Sequence, residues 1–150
     1  MGRLWPPVAW VAACSSREGE VFKAFGGAGS TKATGDAGEA RALAHLQRQG
    51  LTLVERNYRV ARGPRARGGE VDLILRAPDG TLVFCEVRAR RSRAQGGAAA
   101  SVGATKQRAL VLAAQHYLRR YASPPPCRFD VVAIDGDRLE WLPGAFDVTG

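Results

Sequence analysis

Between Gly69 and Arg90 the chain reads GEVDLILRAPDGTLVFCEVRAR. Val71, Leu73 and Leu75 alternate with Glu70, Asp72 and Ile74, the period of a half-buried strand. Thr81 to Val87 is a second run rich in β-formers, and Pro78-Asp79-Gly80 between the two runs is a strong turn signal. The pattern predicts a β-hairpin. Upstream, Asp36 to Gln49 reads as a helix with Ala40, Leu43, Ala44 and Leu46 on its apolar face and Gly50 as its stop. Asp36 and Glu39 in it have capping-box spacing. Leu51 to Val60 reads as an edge-like strand. Downstream, Thr105 to Tyr121 is a second helix, its buried stripe marked by Leu110, Ala113, Ala114, Tyr117 and Leu118. Pro124-Pro125-Pro126 ends that region. Arg128 to Ile134 has the composition of a buried strand, and Asp135-Gly136-Asp137 turns it into a short last strand through Trp141.

The hairpin carries the candidate chemistry. Asp72 and Glu86 lie equally far from Asp79, so a turn centred there sets the two carboxylates opposite each other, their Cβ atoms roughly 5 Å apart. Like charges in that position repel, and a cation between them would relieve it. Oxygen ligands of this kind suit Mg²⁺ or Mn²⁺. Arg88 follows Glu86 by two residues and shares its face. The alternative is a charged solvent face on which each acid pairs with an arginine. Glu39 also has two readings: it caps its helix and complements the dipole, or it leans over the sheet toward Asp72.

Charge extends the picture. Lys and Arg number 22 against 14 Asp and Glu, a net charge of +8. That balance favours an anionic partner, most simply nucleic acid. The basic stretch from Arg62 to Gly69 reads as a loop, either solvated or a phosphate-contacting arm through Arg62, Arg65 and Arg67. Arg90 and Arg91 would flank the hairpin acids with positive charge, and Lys106 and Gln107 sit in the first turn of the second helix. Three cysteines, Cys14, Cys85 and Cys127, give neither a disulfide framework nor a zinc pattern. Cys85 reads as a core residue, and a reducing cytoplasm is the expected compartment. His45 reads as a surface or packing residue. His116 reads as exposed, with no nucleophile beside it. Asp130 reads as a structural partner for an arginine. No apolar run is long enough to span a bilayer. Residues 1–33 read as a flexible or mis-assigned extension, and the domain is expected over 34–150. Oligomeric state has no signature in this pattern.

Several segments then fall in a familiar order. GDAGE at 35–39 opens a helix, RNYR follows at 56–59, GEVDLI at 69–74 and VFCEVR at 83–88. A lysine-glutamine pair stands at 106–107 and RFDVVAI at 128–134. Together they resemble the YraN-like family of small bacterial proteins, over roughly Thr34 to Phe146. The resemblance implies an α/β, restriction-endonuclease-like fold, a mixed central β-sheet flanked by helices. It also implies a nuclease-superfamily site of an acid on one strand, then an acid, a spacer and a lysine on the next. Carried over, Asp72 and Glu86 are the metal ligands, Glu39 the helix acid and Gln107 an accessory residue. Arg88 stands where the family usually has lysine. Arginine stays charged and cannot act as a base, though it can hold a phosphate.

The expected function is a metal-dependent nuclease acting on DNA, with branched or processed ends as the candidate substrates. Asp72, Glu86 and the carbonyl of Val87 would hold Mg²⁺ or Mn²⁺, and Arg88 would stabilise the pentacovalent phosphate. The alternatives are a nucleic-acid-binding module of the same fold without hydrolysis, and an assembly protein that uses the fold as a scaffold.

Overall fold

The computed structural model describes residues 31–90 and 102–148. Helix α1 (Thr31–Arg48) leads through Gly50, at φ +93°, into strand β1 (Thr52–Val60). Strands β2 (Gly69–Arg76) and β3 (Leu82–Arg90) form the expected hairpin. Helix α2 (Ala104–Leu118) follows, then β4 (Cys127–Asp135) and β5 (Arg138–Phe146). Among the described residues the strands form one sheet in the order β1-β2-β3-β4-β5. β3 and β4 are parallel, and each other neighbouring pair is antiparallel. A parallel pair needs a crossover rather than a tight turn, and α2 lies in that connection. The protein is therefore an α/β fold built on a mixed five-stranded sheet.

Each face of the sheet carries its own core. On one side Ala42 and Leu46 of α1 pack with Leu73, Leu75, Val83, Cys85, Val132 and Ile134. On the other, Leu110, Ala113, Ala114, Tyr117 and Leu118 of α2 pack with Val71, Ile74, Phe84, Phe129 and Val131. The five α2 residues are the stripe that the helical period picks out. Coverage on both sides corrects the half-buried reading of β2, in which Val71 to Leu75 are all buried. The structure also corrects the start of α1. Thr31 is already helical, so Glu39 lies mid-helix and Asp36 is no N-cap. One internal glycine costs a helix about 1 kcal/mol, and Gly35 is carried through.

The hairpin turn is built as its residues suggest. Gly80 N–H donates to the Ala77 carbonyl at 2.9 Å, and Asp79 Oδ1 accepts the Thr81 N–H at 3.0 Å. Gly80 has a φ of +90°, which glycine adopts without a steric cost. Gly69 has a different role. A Cβ there would lie 2.6 Å from the Ala109 carbonyl oxygen and 2.7 Å from the Ala113 nitrogen. Only hydrogen lets α2 sit this close to β2. Gly69→Ala should push α2 off the sheet and cost roughly 1–3 kcal/mol, read as a lower urea midpoint.

β5 runs to Phe146, beyond the expected end at Trp141, although Pro143 and Gly144 lie within it. An edge strand tolerates proline because one row of its groups needs no ladder partner. The β4–β5 register shifts between Phe129 and Val131, and there the Gly144 N–H donates to Asp130 Oδ1 at 3.0 Å. A side chain thus replaces a backbone acceptor. Cys85 and Cys127 are buried, and burial pushes the Cys127 thiol up to about 12. Cys14 lies outside the described residues.

Candidate active site

The β2–β3 register pairs Leu73 with Cys85 and Ile74 with Phe84. Continued by one rung, it sets Asp72 opposite Glu86, as the turn position requires. The backbone ladder ends at Leu73 and Cys85, and the strands part there. Beyond that rung the Val87 N–H donates to Asp72 Oδ2 at 2.8 Å. The carboxylate of Asp72 therefore sits in the fork, fixed by the amide of the residue after Glu86.

Asp72 reaches the fork because the strands change face at its rung. Val71 and Ile74 pack in the α2-side core, while Leu73 and Leu75 pack in the α1-side core. Val71 and Ile74 are three positions apart, an odd interval for two residues on one face, so simple alternation breaks at Asp72. Opposite it in β1 stands Asn57, flanked by the rungs Arg56↔Leu73 and Tyr58↔Val71. Asn57 has a φ of +51°, a left-handed conformation that asparagine tolerates better than most residues. Its neighbours point apart. Arg56 reaches Glu39 of α1 at 3.7 Å, and Tyr58 stacks edge-on against Tyr117 of α2 at 5.2 Å. The taste of asparagine for this conformation was the only signal in the sequence that could have marked the inversion.

Glu86 projects to the α2 side, like Phe84 two residues before it. Its side chain is 6% exposed. One oxygen, Oε1, lies 3.2 Å from Lys106 Nζ on the first turns of α2. The other, Oε2, is buried with no hydrogen-bond partner. Burial, then the Asp72 carboxylate, pushes the Glu86 carboxyl up to about 7, against the opposing pull of Lys106. On the α1 side Glu39 is raised by burial first and by Asp72 second, with Asn57 and Arg56 lowering it. Its Oε2 also lacks a hydrogen-bond partner. Of the two readings of Glu39, the structure supports the one in which it leans toward Asp72. A cleft of about 470 Å³, lined by Gly35, Asp36, Glu39, Asn57, Arg59 and Glu70, opens in front of it.

Asp72 thus stands between two glutamates, the half-buried Glu39 of α1 and the buried Glu86 of β3. The remaining expected residues divide. Arg88 is half-buried on β3, and its side chain makes no ion pair among the described residues. Gln107 follows Lys106 on α2, and its side chain is used structurally: its Nε2 donates to the Val102 carbonyl at 2.9 Å and ties down the entry to α2. Arg62, Arg65 and Arg67 are exposed in the loop that enters β2 ahead of Asp72. The side chain of Arg90 and all of Arg91 lie outside the described residues.

Three further expectations meet their structure. His45 is buried against Trp141, the rings 6.3 Å apart. His116 is exposed but has a partner, since its Nδ1 lies 2.6 Å from the Tyr58 hydroxyl. Asp130 is the structural acid: fully buried, it accepts from Arg128 Nε at 3.0 Å, Trp141 Nε1 at 2.9 Å and the Gly144 N–H.

Among the described residues no three His, Cys, Asp or Glu side chains converge as a metal cage. A smaller donor set does fit a hard cation. Asp72 and Glu86 supply carboxylate oxygens, and Glu86 Oε2 is a buried acceptor with nothing to accept. Among the described residues no helix is long and apolar enough to cross a membrane.

Fold and site together define a mixed α/β protein with a buried acid pair at a strand fork and basic residues around it. Residues 38–134, the stretch that holds Glu39, Asp72, Glu86, Arg88, Lys106 and Gln107, match the profile of the uncharacterised protein family UPF0102. A UPF0102 protein of Methylibium petroleiphilum is 67% identical over 120 residues, 80% of this chain and 98% of that protein. One from Acidovorax sp. is 64% identical over 118 residues, 79% of this chain and 87% of its own. One from Cupriavidus taiwanensis is 62% identical over 118 residues, with shares of 79% and 86%. The chain belongs to the UPF0102 family, the YraN-like family that its motifs resemble.

Proposed function

We propose that this chain is a divalent-metal-dependent nuclease that hydrolyses phosphodiester bonds in DNA. The observation that carries the reading is the buried pair at the fork, Asp72 pinned by the Val87 amide and Glu86 with a free buried oxygen. Burial of two facing carboxylates is costly without a cation. The restriction-endonuclease-like arrangement implied by the motifs uses such a pair, and the net charge of +8 suits a polyanionic substrate.

Asp72 and Glu86, with the main-chain carbonyl of Val87, would hold Mg²⁺ or Mn²⁺. When bound, such an ion lowers the pKa of a coordinated water and offsets phosphate charge. In the reaction a water oxygen bonds to phosphorus as the water gives up a proton to solvent, the ester P–O bond breaks, and the leaving oxygen takes a proton from solvent. The Val87 amide keeps the Asp72 carboxylate in one orientation. Packing between α2 and the sheet keeps bulk water from Glu86. Arg62, Arg65 and Arg67 would contact phosphates on either side without reading sequence.

Asp72→Asn is the sharpest test, because its amide oxygen can still accept the Val87 N–H. Labelled single strands, duplexes, flaps and four-way junctions are incubated with Mn²⁺ or Mg²⁺. The variant should lose cutting by more than about a hundredfold while its melting temperature does not fall below that of the wild type. Cutting by Asp72→Asn would overturn the assignment. A second reading, a DNA-binding module without hydrolysis, draws on Arg88 in the lysine position. It predicts binding that weakens steeply with salt and is indifferent to Mg²⁺.

A further inference from the structure

The acid, spacer, lysine pattern ends in arginine at position 88, yet a lysine stands at the acid pair. Lys106 reaches Glu86 from a different element, α2, with its Nζ 3.2 Å from Oε1 and a side chain 33% exposed. Glu86 is therefore asymmetric: one oxygen is held by an ammonium, the other has no such donor, and the Asp72 carboxyl is the nearest polar group to Glu86 on that side. Arg88 makes no ion pair with either acid among the described residues. Its planar, strongly delocalised cation also differs in kind from an ammonium.

We propose that Lys106 is the working lysine of this site: it holds Glu86 when no metal is bound, releases it to a divalent cation and then takes a phosphate oxygen of the DNA. The second half rests on the nuclease reading; the first half does not. Three observations support the exchange. The ammonium and a metal ion would share the same carboxylate, so the two compete for it. Lys106 is one-third exposed, so its flexible four-carbon stem can swing toward solvent without leaving a cavity. Its backbone is anchored meanwhile, because the Gln107 N–H donates to the Gly103 carbonyl at 3.0 Å and the Gln107 side chain to Val102. The lysine turns on a fixed helix start. Gln107, which the motifs mark as accessory, thereby becomes a positioning residue for its neighbour.

The test is Mn²⁺ binding by calorimetry at fixed pH without DNA, on the full chain and on Lys106→Met and Arg88→Met. Lys106→Met should bind Mn²⁺ about tenfold more tightly, since no ammonium competes for Glu86, and Arg88→Met should stay within about threefold of the wild type. In the cleavage assay with saturating Mn²⁺, Lys106→Met should lose turnover by about a hundredfold or more despite its tighter metal binding. Unchanged or weaker Mn²⁺ affinity in Lys106→Met would overturn the proposal, as would a gain of the same size in Arg88→Met. A wild type that cuts none of the DNAs but shows the tenfold gain in Lys106→Met sinks the nuclease reading and leaves Lys106 as the cation that yields Glu86. Full turnover by Lys106→Met removes it from the reaction.

Discussion

Glu86→Gln raises the melting temperature of the metal-free protein above pH 7 and leaves it unchanged below about pH 4.5. The Glu86 carboxyl is ordinary in the unfolded chain, at 4.5, and sits at about 7 in the fold. The native state therefore holds the proton more tightly than the unfolded state. That preference stabilises the fold fully below pH 4.5 and is lost as pH rises through 7, where the fold must carry a buried carboxylate beside Asp72. Glutamine has the same shape and no charge, so it escapes the loss. The shift corresponds to roughly 3 kcal/mol above pH 7, or about 6–12 °C for a chain of this size. Lys106 limits the gain, because its partner goes, but at 33% exposure it can be solvated. Melting curves from pH 4 to 9 read the effect. A Gln variant less stable than wild type at pH 8 would show that the ion pair outweighs burial. Added Mn²⁺ should reverse the order at pH 8, because a ligand that binds only the native wild type stabilises it by mass action.

Asp130→Ala has the opposite sign and is larger. Asp130 is fully buried and takes hydrogen bonds from Arg128, Trp141 and the Gly144 amide. Removing it leaves the guanidinium of Arg128, 17% exposed, without its anion and strands two more donors. Breaking a buried ion pair from one side costs roughly 3–5 kcal/mol, and each orphaned donor about 1–3 kcal/mol. The register shift in the β4–β5 ladder is held by this carboxylate, so β5 should detach first. Hydrogen exchange should show faster amide exchange at Leu142 to Phe146, together with a fall in the urea midpoint. An Asp130→Ala protein within 1 kcal/mol of wild type would mean that water or the backbone replaces the carboxylate. The contrast between Asp130 and Asp72 is chemical. Both are buried aspartates, but one has every lone pair used within its own ladder and the other stands between two raised glutamates.

The elements were largely legible in the chain. The apolar period of α2 named its five buried residues, and Pro78-Asp79-Gly80 fixed a turn that in turn fixed the rung of Asp72 and Glu86. Short-range signals suffice there, because a two-strand register follows from the turn position alone. The helix upstream of Asp36 is not legible, since a capping pattern at Asp36 and Glu39 has the same spelling as an acid on the face of a longer helix. The face inversion at Asn57 was missed because alternation assumes extended backbone throughout.

From its residues alone, then, this chain determines which segments become helix and strand, and that two acids must meet across one hairpin. Tertiary structure decides the rest of the site. Helix α2 crosses between parallel strands and brings Lys106 to Glu86 from 20 positions away, and helix α1 brings Glu39 to the other side of Asp72. No local pattern encodes those meetings, because they depend on how two helices pack over opposite faces of one sheet. Burial by that packing, with the Asp72 carboxylate beside it, turns the ordinary carboxyl group of Glu86 into one that holds a proton near neutral pH.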